Sequence, residues 1–351
     1  MEAIKVYIDT SIFISKNYNF DGNEFQALAR WAKEDKVGIV LTEVTIQEVR
    51  SNISKDIDKA IQSIQKLRKE AKIFRNFEEI PSYGIFADID QKQYEESLYN
   101  KFQSFLELCK VAVVNCSNAD TDKIFRMYFA KKPPFGEGKK KSEFPDAFIL
   151  STLSSLAENE SNNIYVVSQD KDFAEGVNEF DRLIYLSSLE QFLNKVVSRY
   201  ERLAPLATNF LCANMNIAKQ RIEQEFTNLG FYLSDQEGDV DDVHVSHISE
   251  FEIYLIDINN GYALFELTCT VSYTAHLSYD DLDTASYDSE EKVLIPWRKI
   301  DTVVDRKEIV ESELIISFNN TEPCDFKIES VNITTPNNDV EISSLDDDWY
   351  K

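Results

Sequence analysis

Four carboxylates occupy positions where an open parallel sheet would gather them. Asp9 ends the apolar run Val6-Tyr7-Ile8, and Glu48 lies in the first turns of the helix after a second apolar run, Ile39-Val40-Leu41. Asp146 opens the helix of Glu143-Phe144-Pro145-Asp146-Ala147-Phe148-Ile149-Leu150, and Asp170 follows Ile164-Tyr165-Val166-Val167-Ser168, with Asp172 two residues on. A carboxylate at the end of a buried strand is costly without a partner, and ligands of such sheets bind at the carboxyl ends of the strands. Four or five carboxylates on one edge repel and push one another's pKa upward. A hard divalent cation relieves that repulsion. Magnesium takes a few carboxylates and keeps several waters, which leaves room for phosphate oxygens, and it can activate a water and neutralise a phosphodiester under attack. The chemistry to expect is metal-dependent nuclease hydrolysis with no covalent intermediate.

A basic stretch adjoins one of these acids. Between residues 123 and 145, Lys123, Arg126, Lys131, Lys132, Lys139, Lys140 and Lys141 face only Glu137 and Glu143. Functionally, Lys131, Lys132, Lys139, Lys140 and Lys141 would hold a phosphate backbone beside the metal; the plain alternative is a solvated loop. Arg50, Lys55, Lys66, Arg68, Lys69 and Lys72 lie on the long helix after the second strand and are of the kind that surface helices usually carry. The acids have plain alternatives too. Asp9 could cap the turn of Thr10 and Ser11, Asp170 and Asp172 could cap a helix starting near Phe173, and Asp146 after Pro145 suits any helix start.

The elements that must position these residues alternate. Strands are expected at residues 4–9, 39–41, 111–114, 164–168 and 183–185. Helices are expected near 25–32, from Thr42 as N-cap to about 74, over 91–109, 120–130 and 143–157, and from about 189. In the long helix, Ile53, Ile57, Ala60, Ile61, Ile64, Leu67 and Ala71 form an amphipathic stripe. Strands alternating with helices predict an α/β domain with a doubly wound parallel sheet over residues 1–200. A helical connector is expected at 201–229. Beyond Gly230 apolar residues alternate, as in Ala263-Leu264-Phe265-Glu266-Leu267, and Asn259-Asn260-Gly261 and Asn319-Asn320 supply turns. This predicts an acidic antiparallel β domain over 230–351, a sandwich or half-open barrel, ending in a loose tail at Asp346-Asp347-Asp348.

At these residues the sequence resembles the PIN-domain nucleases. The motifs are Ile8-Asp9-Thr10-Ser11, Thr45-Ile46-Gln47-Glu48-Val49, Phe144-Pro145-Asp146-Ala147 and Val167-Ser168-Gln169-Asp170-Lys171-Asp172-Phe173, in order, over roughly residues 1–190. The Lys-rich loop before Asp146 resembles a bacterial PIN-like subfamily with longer helical insertions. The resemblance implies that Asp9, Glu48, Asp146 and Asp170 bind Mg2+ or Mn2+. It further implies that Thr10, Ser11 and Ser168 orient ligands from behind and that Asp172 is a second acid near the site. It implies RNA as the substrate of an endoribonuclease, in the manner of toxins, processing factors or defence effectors. Two other classes are weighed. A structure-specific DNA nuclease would need a helix-hairpin-helix, and no Gly-x-Gly hairpin signal is present; a catalytically silent PIN scaffold would have no need of all four acids. A haloacid dehalogenase-type phosphatase wants a second Asp where Ser11 stands.

Composition bounds the rest. The chain of 351 residues suffices for two cores. It has no apolar run of membrane-spanning length, and Glu2 and Asp9 interrupt any secretory pattern, so a cytoplasmic protein is expected. Five cysteines without C-x-x-C spacing predict free thiols, and three histidines exclude histidine-rich zinc chemistry. The net charge of −25 is uneven: residues 1–200 hold 31 acidic and 27 basic side chains, a net of −4, and residues 201–351 hold 31 and 10, a net of −21. The acidic β domain is thus a poor nucleic-acid binder, suited instead to a basic protein partner, self-association or shielding of the nuclease. His244 and His247, three apart, are expected on opposite faces of a strand in structural roles. Asp235-Gln236-Glu237-Gly238-Asp239-Val240-Asp241-Asp242 lacks the spacing of a calcium loop and is expected to be a solvated turn.

Overall fold

The computed structural model describes residues 3–76, 84, 86–136, 143–288, 293–319, 325–334 and 339–344. Lys139, Lys140, Lys141, Asn320 and the tail at Asp346–Asp348 lie outside the described residues. The chain divides into two compact units, Met1–Val196 and Val197–Lys351.

The first unit alternates strand and helix. Its elements are β1 (Ile4–Ile8), α1 (Thr10–Ser15), α2 (Asn23–Lys33), β2 (Val37–Thr42), α3 (Glu43–Glu70), α4 (Gln91–Leu108), β3 (Ala112–Val114), α5 (Thr121–Ala130), α6 (Phe144–Asn159), β4 (Ile164–Val167), α7 (Lys171–Val177), β5 (Leu183–Leu186) and α8 (Leu189–Tyr200), which runs into the second. The strands form one parallel sheet in the order β3-β2-β1-β4-β5. β1 is central, and Val6, Tyr7 and Ile8 are fully buried, as a strand covered on both faces requires. The chain winds outward from β1 to β3 and then crosses to β4. The order therefore reverses between β1 and β4, the place where such sheets hold ligands.

Local chemistry fixes the helices around that crevice. Phe13 of α1, Phe20, Phe25 of α2, and Phe102 and Phe105 of α4 pack with ring centroids 5.2–6.2 Å apart; each such pair adds about 1 kcal/mol beyond its buried area. Thr42 caps α3 as expected, its Oγ1 accepting from Thr45 N at 3.1 Å. The Thr45 hydroxyl meets both the Thr42 hydroxyl and the Tyr7 hydroxyl at 2.8 Å, which ties the first turn of α3 to β1. The stripe predicted along α3 is buried only at Ile53, and Leu67 is 47% exposed, because past Ile53 the helix leaves the sheet and packs on α4.

The second unit contains α9 (Ala204–Ala213), α10 (Met215–Thr227), β6 (Gly230–Leu233), β7 (Gly238–Asn259), β8 (Tyr262–Asp280), β9 (Ser286–Asp288), β10 (Val293–Ile295), β11 (Lys299–Phe318), β12 (Phe326–Ile333) and β13 (Asp339–Ile342). β7, β8, β11 and β12 make an antiparallel sheet in the order β12-β11-β8-β7, and β6 pairs with β13 in parallel. The β7–β8 turn is Asn260-Gly261 with φ of +52° and +82°, the primed hairpin turn that Asn-Gly favours. Every second residue of β8, from Ala263 to Leu277, is buried. The sandwich or half-open barrel is corrected here: α9 and α10, expected as a connector, pack on β7 and β12, so helices cover the sheet. The histidine expectation is also corrected. β7 carries irregularities at Asp241/His244 and Val245/His247, and the extra residue resets the alternation, leaving both His244 and His247 exposed. Among the described residues Cys109, Cys116, Cys212 and Cys269 are free thiols, and no helix is long and apolar enough to cross a membrane.

Candidate active site

The two carboxylates flanking the switch point also cap helices. Asp9 is the N-cap of α1, and three donors converge on its Oδ2: Ser11 N at 3.1 Å, Ser11 Oγ at 2.5 Å and Ser168 Oγ at 2.9 Å. Asp170 is the N-cap of α7, its Oδ1 accepting from Asp172 N at 2.8 Å and Phe173 N at 3.2 Å. The two hydroxyls act as clips between β1 and β4. Ser11 Oγ also accepts from Gln169 N at 3.0 Å, and Ser168 Oγ from Asp170 N at 3.0 Å. Tyr185 donates to the Ser168 carbonyl at 2.7 Å. Helix capping and site geometry are thus compatible, because the capping uses one oxygen of each carboxylate.

Glu48 and Asp146 come from helix starts on the same edge. Thr10 Oγ1 donates to Glu48 Oε2 at 3.0 Å, and Glu48 stands one turn after Thr45, which holds α3 against Tyr7. Asp146 lies in the first turn of α6 behind Pro145, a favourable place for proline and for a carboxylate. Among the described residues nothing donates a hydrogen bond to Asp146, and none of the four acids forms an ion pair. Elsewhere in the unit acids are neutralised: Lys16 pairs with both Glu24 and Glu190, and Lys132 with Glu179 at 3.1 Å.

The electrostatics show that the four share one field. Burial, followed by the charges of Asp9, Glu143, Glu48 and Asp170, pushes Asp146 up to about 8. Burial raises Glu48 as well, with Asp9 adding to it and Thr10 and Lys55 opposing. Burial and then Asp9 hold the Tyr7 hydroxyl well above its usual range, with Glu48 and Asp146 contributing. Tyr185 is raised by burial and by Asp170 and Asp9.

Of the other residues singled out in the sequence, Asp172 is exposed at the start of α7 and meets the site through its backbone N–H. Lys131 is exposed and ends α5 in a left-handed conformation, and Lys132 is exposed and pairs at the surface with Glu179. Sequence reasoning missed Tyr7, Thr45, Tyr185 and the influence of Glu143. The last had a signal, since a residue three before Asp146 shares its helix face.

The donor set is all carboxylate oxygen, which fits a hard divalent cation and not a soft one. Asp9 Oδ1, Asp170 Oδ2, Glu48 Oε1 and both oxygens of Asp146 accept no hydrogen bond from a described residue. Among the described residues no three of these acids bring oxygens within 4.8 Å of one another. The edge is therefore not a closed cage.

Such a fold and edge define the class: a doubly wound α/β domain with four carboxylates along the edge that holds its switch point. Residues 6–173, which lie within the first unit, match the family model of the PIN domain, a family that is in general one of nucleases. No curated protein and no solved structure matches the chain.

Proposed function

We propose that the protein is a metal-dependent endoribonuclease that hydrolyses RNA phosphodiesters, serving as a toxin or defence effector. One observation carries this reading: Asp9, Glu48, Asp146 and Asp170 stand at the strand ends and helix starts of one sheet edge, none of them in an ion pair among the described residues, and burial followed by the charges of Asp9, Glu143, Glu48 and Asp170 pushes Asp146 up to about 8. Asp9, Glu48, Asp146 and Asp170 would hold Mg2+ or Mn2+. When bound, such an ion supplies charge neutralisation at the scissile phosphate and lowers the pKa of an attacking water. The chain's own residues do the positioning. Ser11 and Ser168 orient Asp9, Thr10 orients Glu48, and the N-terminus of α7 orients Asp170. Lys131, Lys132 and the lysines at 139–141 would contact the phosphate backbone.

Incubation of the full chain with labelled single-stranded RNA and DNA, with Mn2+ or with a chelator, tests the proposal. RNA cleavage that stops in the chelator and in Asp9→Asn and Asp146→Asn supports it. Cleavage of DNA alone would assign a DNA nuclease instead, and no cleavage of either polymer would leave a binding module.

A further inference from the structure

Beside the acidic edge stands an aromatic wall that the proposed chemistry does not use. Phe125 and Phe129 lie one turn apart on α5, 49% and 78% exposed, with ring centroids 6.4 Å apart and planes 27° from parallel. They are backed by a fixed cluster. Phe125 meets Phe144 at 6.0 Å, Tyr128 meets Phe144 at 5.1 Å, and the fully buried Phe135 meets Phe144 at 5.0 Å and Tyr128 at 5.4 Å. α5 runs antiparallel to α6: Asp120 N at its start donates to Ser151 Oγ at 2.8 Å, while its last turns meet Phe144. Seven residues separate Ser151 from Phe144, about 10 Å of helix, so α5 climbs toward the end of α6 where Asp146 stands two residues past Phe144.

The exposed face of α5 reads Asp122, Phe125, Arg126 and Phe129, at helical spacing. Lys123 is turned away, its ammonium over the Phe180 ring and donating to the Glu179 carbonyl. Arg126 is exposed, and Asp122 balances it, so this face offers ring surface and almost no net charge. Two exposed phenylalanines on a rigid backing are uncommon on a surface that water alone covers. They suit a ligand with flat apolar faces and an anionic backbone that reaches the carboxylate edge.

We propose that Phe125 and Phe129 stack on unpaired nucleobases and so select single strands, or unpaired segments of folded ones, as substrate. This rests on the nucleic-acid reading of the neighbouring edge. Ring spacing carries the choice of unpaired over paired strands. Successive bases in a duplex strand are about 3.4 Å apart, roughly half the spacing of the two rings, so a strand that lays adjacent bases on both must be drawn out. Duplex bases are stacked on one another and offer no free faces. Stacking on aromatic side chains tolerates any base, so these rings would select unpaired bases without choosing a sequence.

The test titrates full-length protein, in chelator so that nothing is cut, into single-stranded RNA, single-stranded DNA and a duplex, each carrying 2-aminopurine as reporter. Phe125→Ala/Phe129→Ala should weaken single-strand binding about tenfold or more. The loss should be equal at low and high salt, duplex binding should be unchanged, and Phe125→Trp/Phe129→Trp should restore the native affinity. The RNA and DNA arms tell which sugar the site accepts. Unchanged single-strand binding in the alanine variant overturns the proposal, as does native protein that binds duplex equally well. A native dimer that the same variant converts to monomer, with strand binding intact, assigns the rings to a contact between copies and also overturns it. Failure here is separable from failure of the nuclease reading. A chain that cuts nucleic acid but binds single strands equally well with either pair of residues refutes only the stacking, and one that loses single-strand binding in the alanine variant yet never cuts refutes only the hydrolysis.

Discussion

The segments 1–200 and 201–351 carry the same number of acidic side chains, 31 each, but 27 and 10 basic ones. The first segment sets its bases in ion pairs such as Lys5–Glu160, Lys101–Asp21 and Lys110–Asp35, yet among the described residues the four acids of one sheet edge have no such partner. In the second unit exposed acids alternate with buried apolar residues along the strands. Asp235, which partial burial alone would raise, is instead held below the usual carboxylate range by the Ser344 hydroxyl and backbone N–H. The candidate site stands out by charge left without an ion pair among the described residues, and not by how much charge its region carries.

The strongest way to break this comparison is to remove one edge carboxylate. Asp9→Asn and Asp146→Asn should each lower metal-dependent hydrolysis by about 10²- to 10³-fold in single-turnover assays, with circular dichroism unchanged. Equal activity in either variant would place the chemistry elsewhere.

Next in size is a pH effect on stability. Asp146 is raised from 3.8 to about 8 in the folded protein, so between those values the native state holds a proton that the unfolded chain has released. Stability contributed by the protonated form is complete below about pH 4 and is lost as pH rises toward 8. In chelator the thermal midpoint should decline across that window through this group, and Mg2+ or Mn2+ should lift it at pH 8 more than at pH 5. Asp146→Asn should flatten both responses; a metal-independent midpoint at pH 8 would break the claim.

A smaller effect is expected at the clips. Ser168→Ala removes the donor to Asp9 and the acceptor for Asp170 N. Metal affinity and activity should fall about 10- to 100-fold, with a stability loss of about 1 kcal/mol in urea titration. The smallest effect belongs to the acidic segment. Without residues 201–351, residues 1–200 should bind unrelated nucleic acid a few-fold more tightly at low salt, and the difference should vanish at high salt. Unchanged binding at low salt would show that the acidity does not shield.

Much of the first unit was legible because its signals are local. The unbroken apolar run of β1 announces a strand buried on both faces, Thr42 announces the start of α3, and the acids fall after strands or at helix starts. The division of each carboxylate between a capping oxygen and a free one was not legible, since spacing cannot say which atoms the backbone claims. In the second unit, alternation revealed a half-buried sheet but not what covers it. A sandwich and a helix-covered sheet bury the same residues of β8, and only tertiary packing of α9 and α10 decides between them. Periodicity alone puts His244 and His247 on opposite faces of β7, because a bulge leaves no mark in it.

That irregular β7 has a further consequence. It is a 22-residue strand at the margin of its sheet, with β8 as its ladder partner on one side. A straight border of that length would template the addition of foreign strands and, in time, fibrils. Four breaks in register, at Asp241/His244, Val245/His247, Ser249/Glu252 and Leu255/Asp257, with Asp242 and Glu250 at positive φ, deny any incoming strand a continuous row of partners. The same interruptions that leave His244 and His247 both exposed thus give so long a border its protection against self-assembly.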